Sequence, residues 1–238
     1  MRPNTTGEYV LKVRIRFSKT GALVYIGHLD VMRYFQKLFR RSRIPVAYSE
    51  GFSPHQLLSF SHPLPLGMES CGEYADVTLT RPVPTEEALE CLRHHSVPEI
   101  EIMSFKELPD KCDNAMASVC AAKYTACLDR SVKGLNETVE RFLSTECVNI
   151  LKKTKKNEQE INIRPLVHLL ECNSENDILT MTISSGSSNN CKPELVIDAL
   201  KLLSEDSPDH RDFVYKRIDQ FTDCNRLISL DMIGHDIL

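Results

Sequence analysis

Apolar and polar positions follow two different periods at the start of the chain. Residues 9–17 alternate between apolar and mostly basic side chains, which predicts a strand with one buried face and one basic face. From His28 the apolar residues recur at helical spacing, and Pro45 ends that pattern. The chain therefore begins with a strand that leads into an amphipathic helix.

The elements that follow complete a familiar order. Residues 45–49 are predicted to form a short strand, residues 73–79 a strand, residues 85–94 a helix and residues 99–108 a closing strand. This β-α-β-β-α-β order is typical of a ferredoxin-like domain. A looser copy of the same order begins at residue 118.

The predicted fold class is therefore α+β, with two tandem ferredoxin-like domains. The N-terminal domain is predicted over residues 1–110 and contains the basic helix and a Gly-Phe-Ser-Pro-His loop at 51–55. The C-terminal domain is predicted over residues 115–238, with a lysine-rich hairpin and an irregular tail.

Charge is distributed unevenly along the chain. Residues 1–60 hold ten lysines and arginines against three acidic residues, although the whole chain has a net charge of -4. A basic end on an otherwise acidic protein favours an anionic partner such as RNA. The alternative is a solvated basic face that acidic neighbours balance in three dimensions.

The predicted helix carries much of this charge on one face. Arg33, Lys37, Arg40 and Arg41 share that face and are candidates for contacts with a phosphate backbone. The alternative is a solvated face whose cations stabilise the end of the helix. No aromatic residue is predicted to interleave these cations on the same face of the helix, so the pattern does not predict base stacking.

Histidines mark two further candidate positions. His28 and Asp30 stand at the start of the helix, where a histidine can act as a general base or bind a phosphate. Equally, Asp30 suits a helix N-terminus and His28 can be a packing residue. Ser53 and His55 lie in the loop, which is either a contact for a ligand or RNA or a structural turn. His28, Asp30 and His55 are the candidate catalytic residues.

Other candidate binding residues are cations outside the helix. The lysine run of the second half is either solvated or binds RNA or an acidic partner. These candidates are Arg16, Lys19, Lys152, Lys153, Lys155, Lys156 and Arg164.

Several familiar chemical motifs are missing. The nine cysteines lie at least seven positions apart, which excludes a local CxxC or CxxxCxxC motif. His55 and His62 with a glutamate are too few ligands to predict a metal site. Phosphate-loop, dinucleotide-binding and nucleophile-elbow motifs are also absent from the sequence. These absences argue against a self-sufficient enzyme of a familiar type.

The first half carries a specific set of short motifs. They are Arg16-Phe17-Ser18-Lys19-Thr20-Gly21, His28-Leu29-Asp30 with Arg33, Gly51-Phe52 with Pro54-His55, Ser59-Phe60, Pro63-Leu64-Pro65-Leu66-Gly67 and Glu73-Tyr74. With these motifs the chain resembles the bacterial family of radical SAM-associated proteins, a domain of unknown function also catalogued as DUF2344. Gly27 replaces a usual serine of that pattern, and Gln56 replaces a frequent proline.

The resemblance implies an accessory role. A radical SAM enzyme needs an iron-sulfur cluster and S-adenosylmethionine, and this chain lacks the CxxxCxxC motif that would hold the cluster. We therefore expect both cofactors on a radical SAM partner protein and none bound by this chain. The association of the family with RNA-processing and ribosomal proteins also favours RNA or ribosome-associated factors as partners.

Three functions remain open at this point. The leading hypothesis is a non-catalytic, substrate-presenting protein that works with a radical SAM enzyme on RNA or a ribosome-linked target. The alternatives are a stand-alone RNA-processing or RNA-modifying enzyme of ferredoxin-like fold, and a protein-interaction module without nucleic acid. The sequence predicts neither a membrane span nor a signal peptide, so we expect a cytoplasmic protein with no membrane partner.

Overall fold

Two compact units make up the chain. A computed structural model describes residues 2–3, 9–128, 134–153, 158–173, 178–186, 189–204 and 208–238. The first unit consists of Met1–Val119 together with Asp219–Leu238, and the second is Cys120–Ile218. The sequence assigned everything after residue 115 to the second domain, whereas the last twenty residues of the chain belong to the first unit.

Both strands and helices are present in each unit, so the predicted α+β class is confirmed. The strands are β1 Arg2–Pro3, β2 Tyr9–Lys19, β3 Leu58–Phe60, β4 Glu69–Leu79, β5 Ile102–Glu107, β6 Ala121–Leu128, β7 Asn149–Lys153, β8 Glu158–Asn162, β9 Val167–Asn173, β10 Ile178–Ser184, β11 Phe213–Thr222 and β12 Ile228–Ser229. The α-helices are α1 His28–Ser42, α2 Thr85–His95, α3 Ala115–Ser118, α4 Leu135–Ser144 and α5 Pro193–Leu203.

The sheet of the first unit is antiparallel. β2 pairs with β4 along one edge and with β5 along the other, and β3 pairs with the far edge of β4. The strand order is therefore β5-β2-β4-β3, with α1 connecting β2 to β3 and α2 connecting β4 to β5. Side chains of both helices share one core cluster with the sheet, so the helices cover the same face.

The predicted alternation of β2 is confirmed on its apolar face. Val13, Ile15 and Phe17 are at most 1% exposed and pack against Phe35 of α1 and Phe105 of β5. Removing such side chains from water is the main favourable contribution to folding of this unit.

The other face of β2, predicted to be basic, is buried at Arg14. Arg14 is only 2% exposed, because its guanidinium forms an ion pair with Asp76 on the neighbouring strand β4. A buried charge requires such a partner, and strand alternation alone does not reveal whether one exists.

The C-terminal segment completes the first unit. Glu107 at the end of β5 exchanges backbone hydrogen bonds of 2.8 and 3.1 Å with His235. The Thr85 N–H at the start of α2 donates to the Ile237 oxygen at 2.9 Å, and the Ile237 N–H donates to Thr85 Oγ1 at 2.9 Å. Lys106 Nζ donates to the backbone oxygen of Asp231 at 2.8 Å. These bonds explain why the tail belongs to the first unit rather than the second.

The second unit repeats the strand order with one insertion. β10 pairs antiparallel with β6 and with β9, and β11 lies beside β6, which gives the order β11-β6-β10-β9. β7 and β8 form a separate two-stranded hairpin between α4 and β9. Leu179, Met181 and Ile183 of β10 are fully buried.

Two local predictions require correction. The strand predicted over residues 45–49 is reduced to isolated bridges, because Val46 pairs with Leu79 and Tyr48 pairs with Gln56, so no continuous ladder forms. The strand predicted from Ser118 begins at Ala121, and Ser118 instead ends the short helix α3. Among the described residues, no helix has the length and apolar character needed to span a membrane.

Candidate nucleic-acid interface

Helix α1 presents its basic face to solvent because its apolar face is buried. Val31, Phe35, Leu38 and Phe39 form the buried stripe. Arg43 adopts a left-handed conformation with φ 56°, which ends the helix two residues before Pro45. The predicted basic face is thereby exposed along its whole length.

The cations of this face are held in different ways. Arg33 forms an exposed ion pair with Asp30 at 3.1 Å, whereas Arg40 donates through Nε to the Gln36 oxygen at 3.1 Å. Arg41 donates to the His95 oxygen at 3.2 Å. The Lys37 side chain is exposed and makes no hydrogen bond or ion pair with any described residue. A guanidinium has five N–H donors, so Arg40 and Arg41 keep donors for a phosphate.

The loop at residues 50–55 is closed by one serine and one histidine. Ser49 Oγ lies 2.8 Å from His55 Nδ1 and accepts a hydrogen bond from the His55 backbone at 3.1 Å. Gly51 has φ +106°, a conformation that favours glycine. The Phe52 ring at the tip of the loop is fully exposed, and Ser53 is also exposed. The loop therefore carries an aromatic side chain and a positioned imidazole on a closed turn.

Helix α1 and this loop meet at one shared cavity. It has a volume of about 220 Å³ and is lined by Gln36, Arg40, Tyr48, Pro54, His55 and Gln56. The Tyr48 side chain is 49% exposed, so an aromatic ring stands next to a cation of the basic face. The helix also supplies a ring of its own, since the Arg41 guanidinium lies over the Tyr34 ring at 5.9 Å from its centroid. We call α1's exposed cations, Tyr48 and the 50–55 loop the basic-aromatic surface.

His28 lies in a different environment. Its ring packs edge-on against Phe60 at 5.4 Å between centroids, and it lines a cavity of about 20 Å³ together with Lys19, His62 and Glu73. That volume is roughly the space for one water molecule. His28 and His55 therefore line different cavities, and a single groove containing both remains a hypothesis.

Many of the motif residues converge on the small cavity. Phe17, Lys19, His28, Phe60, Pro63, Leu64 and Glu73 all line it. Lys19 is 4% exposed, and its Nζ donates to the backbone oxygens of Val24 at 3.4 Å and Ile26 at 2.9 Å. Lys19 thus ties down the 3-10 turn before α1.

The remaining predicted cations lie apart from the basic-aromatic surface. Arg16 donates to the Cys71 oxygen at 3.1 Å and lies 3.8 Å from Asp231. In the second unit, Arg164 stacks over the Phe142 ring at 5.8 Å and donates to the Leu143 oxygen at 3.3 Å. Both arginines are therefore engaged within their own units.

The lysine run belongs to the hairpin of the second unit. The backbone of Lys152 and Lys153 lies in β7, opposite Gln159 and Glu158. The side chains of these two lysines, and all of Lys155 and Lys156, lie outside the described residues. A role for the run in binding remains a prediction.

Several residues of the surface were missed in the sequence. Tyr48 and Gln56 pair across the loop as an isolated bridge, although neither was a candidate. In the sequence, Gln56 stands out only because it replaces the family's frequent proline.

The proximity of Arg14, Asp76 and Cys112 could not be predicted from the sequence, because it depends on pairing between distant segments. Burial raises the pKa of the Cys112 thiol, so it stays protonated near neutral pH.

The described part of the chain contains no cluster of three or more histidine, cysteine, aspartate or glutamate side chains that could hold a metal ion. His55 and His62, the pair considered above, line different cavities. The donor set near either histidine therefore does not fit a metal site of ordinary geometry.

Fold and surface together define a mixed α+β protein with an exposed basic helix flanked by aromatic loop residues. A family model described as "uncharacterized protein conserved in bacteria (DUF2344)" matches residues 12–193. The chain belongs to this family. Comparison with curated proteins finds none that matches it.

Proposed function

We propose that this protein binds single-stranded RNA in the cytoplasm and presents it to a radical SAM enzyme, without being a catalyst itself. One observation carries the RNA part of the proposal: a single cavity is lined by Arg40 of the basic helix, the half-exposed Tyr48 and His55 of the loop. Proteins that bind single strands combine a positive track for the backbone with aromatic rings on which bases stack.

Each half of this combination has its own residues. Lys37, Arg40 and Arg41 are exposed cations with donors left for phosphate oxygens. Tyr48 and the fully exposed Phe52 supply ring surfaces in the adjoining segment. The Phe52 ring is fully exposed, so its face is accessible to a stacking base.

The radical SAM part of the proposal rests on the family resemblance. The spacing of the cysteines leaves the iron-sulfur cluster and S-adenosylmethionine to the partner. A ribosome-associated target fits the same arrangement, since ribosomal RNA offers single-stranded loops.

We further propose the finer fold assignment, two tandem ferredoxin-like domains. The strand orders β5-β2-β4-β3 and β11-β6-β10-β9 support it, since each corresponds to the fourth, first, third and second strands of a β-α-β-β-α-β unit. In the second unit the β7-β8 hairpin is an insertion before the second strand of that order. An experimental structure with a different strand order would refute this assignment.

The test of RNA binding is fluorescence anisotropy with a labelled single-stranded hexanucleotide at several salt concentrations. The double charge reversal Lys37→Glu with Arg40→Glu should weaken binding and lower the slope of log affinity against log salt by roughly 1.4, about 0.7 for each phosphate that is no longer neutralised. The matched control reverses two other exposed cations, Arg81→Glu with Lys192→Glu, and has the same net charge.

Two results would overturn the proposal. One is that the natural protein shows no salt-dependent binding of RNA. The other is that the control reversal weakens binding as much as the reversal on α1, because binding would then follow net charge rather than this surface.

A second function is favoured by the Ser49–His55 hydrogen bond. Ser49 Oγ holds His55 Nδ1 at 2.8 Å, so the imidazole is oriented as a general acid or base requires. An RNA-cleaving enzyme would lose activity in the variant His55→Gln. If the natural protein leaves labelled RNA intact both with and without divalent metal, this second function is excluded.

A further inference from the structure

A larger cavity lies in the first unit, beside the short helix α3 and on the face of the sheet opposite α1 and α2. It has a volume of about 310 Å³, at the small end of the range for ligand pockets. Its polar lining comes from β2, β3, β4 and the segment before α3, and includes Lys12, Ser59, Asp76, Thr78 and Asn114.

This cavity adjoins the basic-aromatic surface. His55 and Gln56 line both the 310 Å³ cavity and the 220 Å³ cavity that contains Arg40 and Tyr48. An RNA strand bound along α1 would therefore have the 310 Å³ cavity beside it.

Gln56 carries an unused hydrogen-bond acceptor between the two cavities. The residue is 6% exposed, and its Nε2 donates over long distances of 3.3 Å to the Tyr48 hydroxyl and 3.4 Å to the Gln36 oxygen. Its Oε1 is buried and has no hydrogen-bond partner among the described residues. A buried amide oxygen in that state is costly, and a small rotation of the carboxamide towards a ligand N–H would relieve the cost.

The remaining walls indicate what shape of ligand would fit. Leu57, Leu58, Val77 and Leu108 supply apolar surface. Asp76 also lines the cavity, and its negative charge is balanced by Arg14, so this part of the lining does not repel an anion. Lys12 is exposed, lines the cavity, and forms no ion pair with the described residues, so it is available to a phosphate.

We propose that this cavity receives one nucleobase of the bound RNA strand. The base would pack between the apolar walls and donate an N–H to Gln56 Oε1, and the adjoining phosphate would contact Lys12. The inference rests on the proposed RNA binding and adds a base-reading position to it. Flat bases with N–H groups on their edges suit an apolar slot with one amide acceptor.

The test uses hexanucleotides in which each position in turn is an abasic ribose, so the natural protein is measured without any substitution. At the position that occupies the cavity, the abasic ribose should lower affinity by about 10- to 100-fold. The salt slope should stay unchanged, because the abasic strand keeps all of its phosphates.

Protein variants then locate the effect. Ser59→Tyr fills the cavity from β3 and should bind intact RNA no better than the natural protein binds the abasic strand. The matched control Ser144→Tyr places the same side chain at an exposed serine of α4, outside the cavity, and should behave like the natural protein. Leucine has a similar size to glutamine and no hydrogen-bond acceptor. In Gln56→Leu, the affinities for the four hexanucleotides made of a single base (A, C, G or U) should therefore differ less than they do in the natural protein.

The base-binding inference is overturned if every abasic strand binds as tightly as the intact one, or if Ser59→Tyr still distinguishes them fully. In either case RNA binding itself stands. If the natural protein binds no RNA at all, both the proposed function and the base-binding inference are refuted.

Discussion

Loss of the Asp76 carboxylate should destabilise the first unit more than the loss of any exposed charge. Asp76 accepts hydrogen bonds from Arg14 Nε at 2.8 Å, from Arg14 Nη2 at 2.9 Å and from the Ala115 backbone at 2.7 Å. In the variant Asp76→Ala, the Arg14 guanidinium stays buried without its counter-charge. Removing one partner of a buried ion pair costs about 3–5 kcal/mol of unfolding free energy.

The pair can also be removed as a whole. Replacing both residues by apolar ones of similar size, Arg14→Met with Asp76→Leu, leaves no buried charge, and such replacements are often neutral. We therefore expect the double variant to recover most of the stability that Asp76→Ala loses. The Ala115 donor would still lack its acceptor, so recovery should fall short by about 1–3 kcal/mol.

Hydrogen exchange measured by mass spectrometry is the suitable assay. The chain has two units and no tryptophan, so a single global unfolding signal would not report on the first unit alone. Peptides from β2 and β4 should exchange faster in Asp76→Ala and more slowly again in the double variant. Asp30→Ala is the control, because its ion pair with Arg33 is exposed and should contribute less than about 1 kcal/mol.

Two results would refute this reasoning. If Asp76→Ala changes exchange in β2 and β4 no more than Asp30→Ala does, the buried pair does not hold the sheet as argued. If the double variant is as unstable as the single variant, the cost lies in packing rather than in an uncompensated charge.

Two further perturbations test the tail and the buried tyrosine. Gly234→Ala should destabilise the first unit by about 2–4 kcal/mol, because φ is +105° and an added Cβ would collide with the Glu107 backbone oxygen. The control is Gly51→Ala, where φ is +106° but no atom lies within contact of an added Cβ. It should cost only about 1 kcal/mol in the same exchange assay. Burial and the neighbouring Asp219 raise the pKa of Tyr74 well above its ordinary value. The folded state then keeps its proton while the unfolded state loses it, so unfolding free energy should fall above about pH 10 by about 1.4 kcal/mol per pH unit for this group. In Tyr74→Phe that part of the alkaline slope should disappear, and an unchanged slope would contradict the assignment.

Short-range pattern was sufficient for the elements that bury one face. Val13, Ile15 and Phe17 could be assigned to the core because a strand alternates its side chains whatever lies beyond it. The basic face of α1 followed in the same way from the positions of Leu38 and Phe39. The basic-aromatic surface was therefore half predictable, through its cations.

The other half required the fold. The pattern predicts a strand at Tyr48 and assigns no role to Gln56, and only packing brings both residues to the same cavity as Arg40. Alternation places Arg14 on the basic face of the strand and does not show that this arginine is buried. Its partner Asp76 is 62 positions away.

The α+β class, the exposed cations of α1 and the family motifs could all be inferred without coordinates, because each depends on periodicity or on residues adjacent in the chain. Three other features could not: which cations outside α1 stay on the surface, which aromatic rings stand beside the α1 cations, and where the tail from Asp219 lies. Those outcomes depend on contacts between distant segments. The free energy of such contacts comes from burial and pairing that a one-dimensional pattern does not contain.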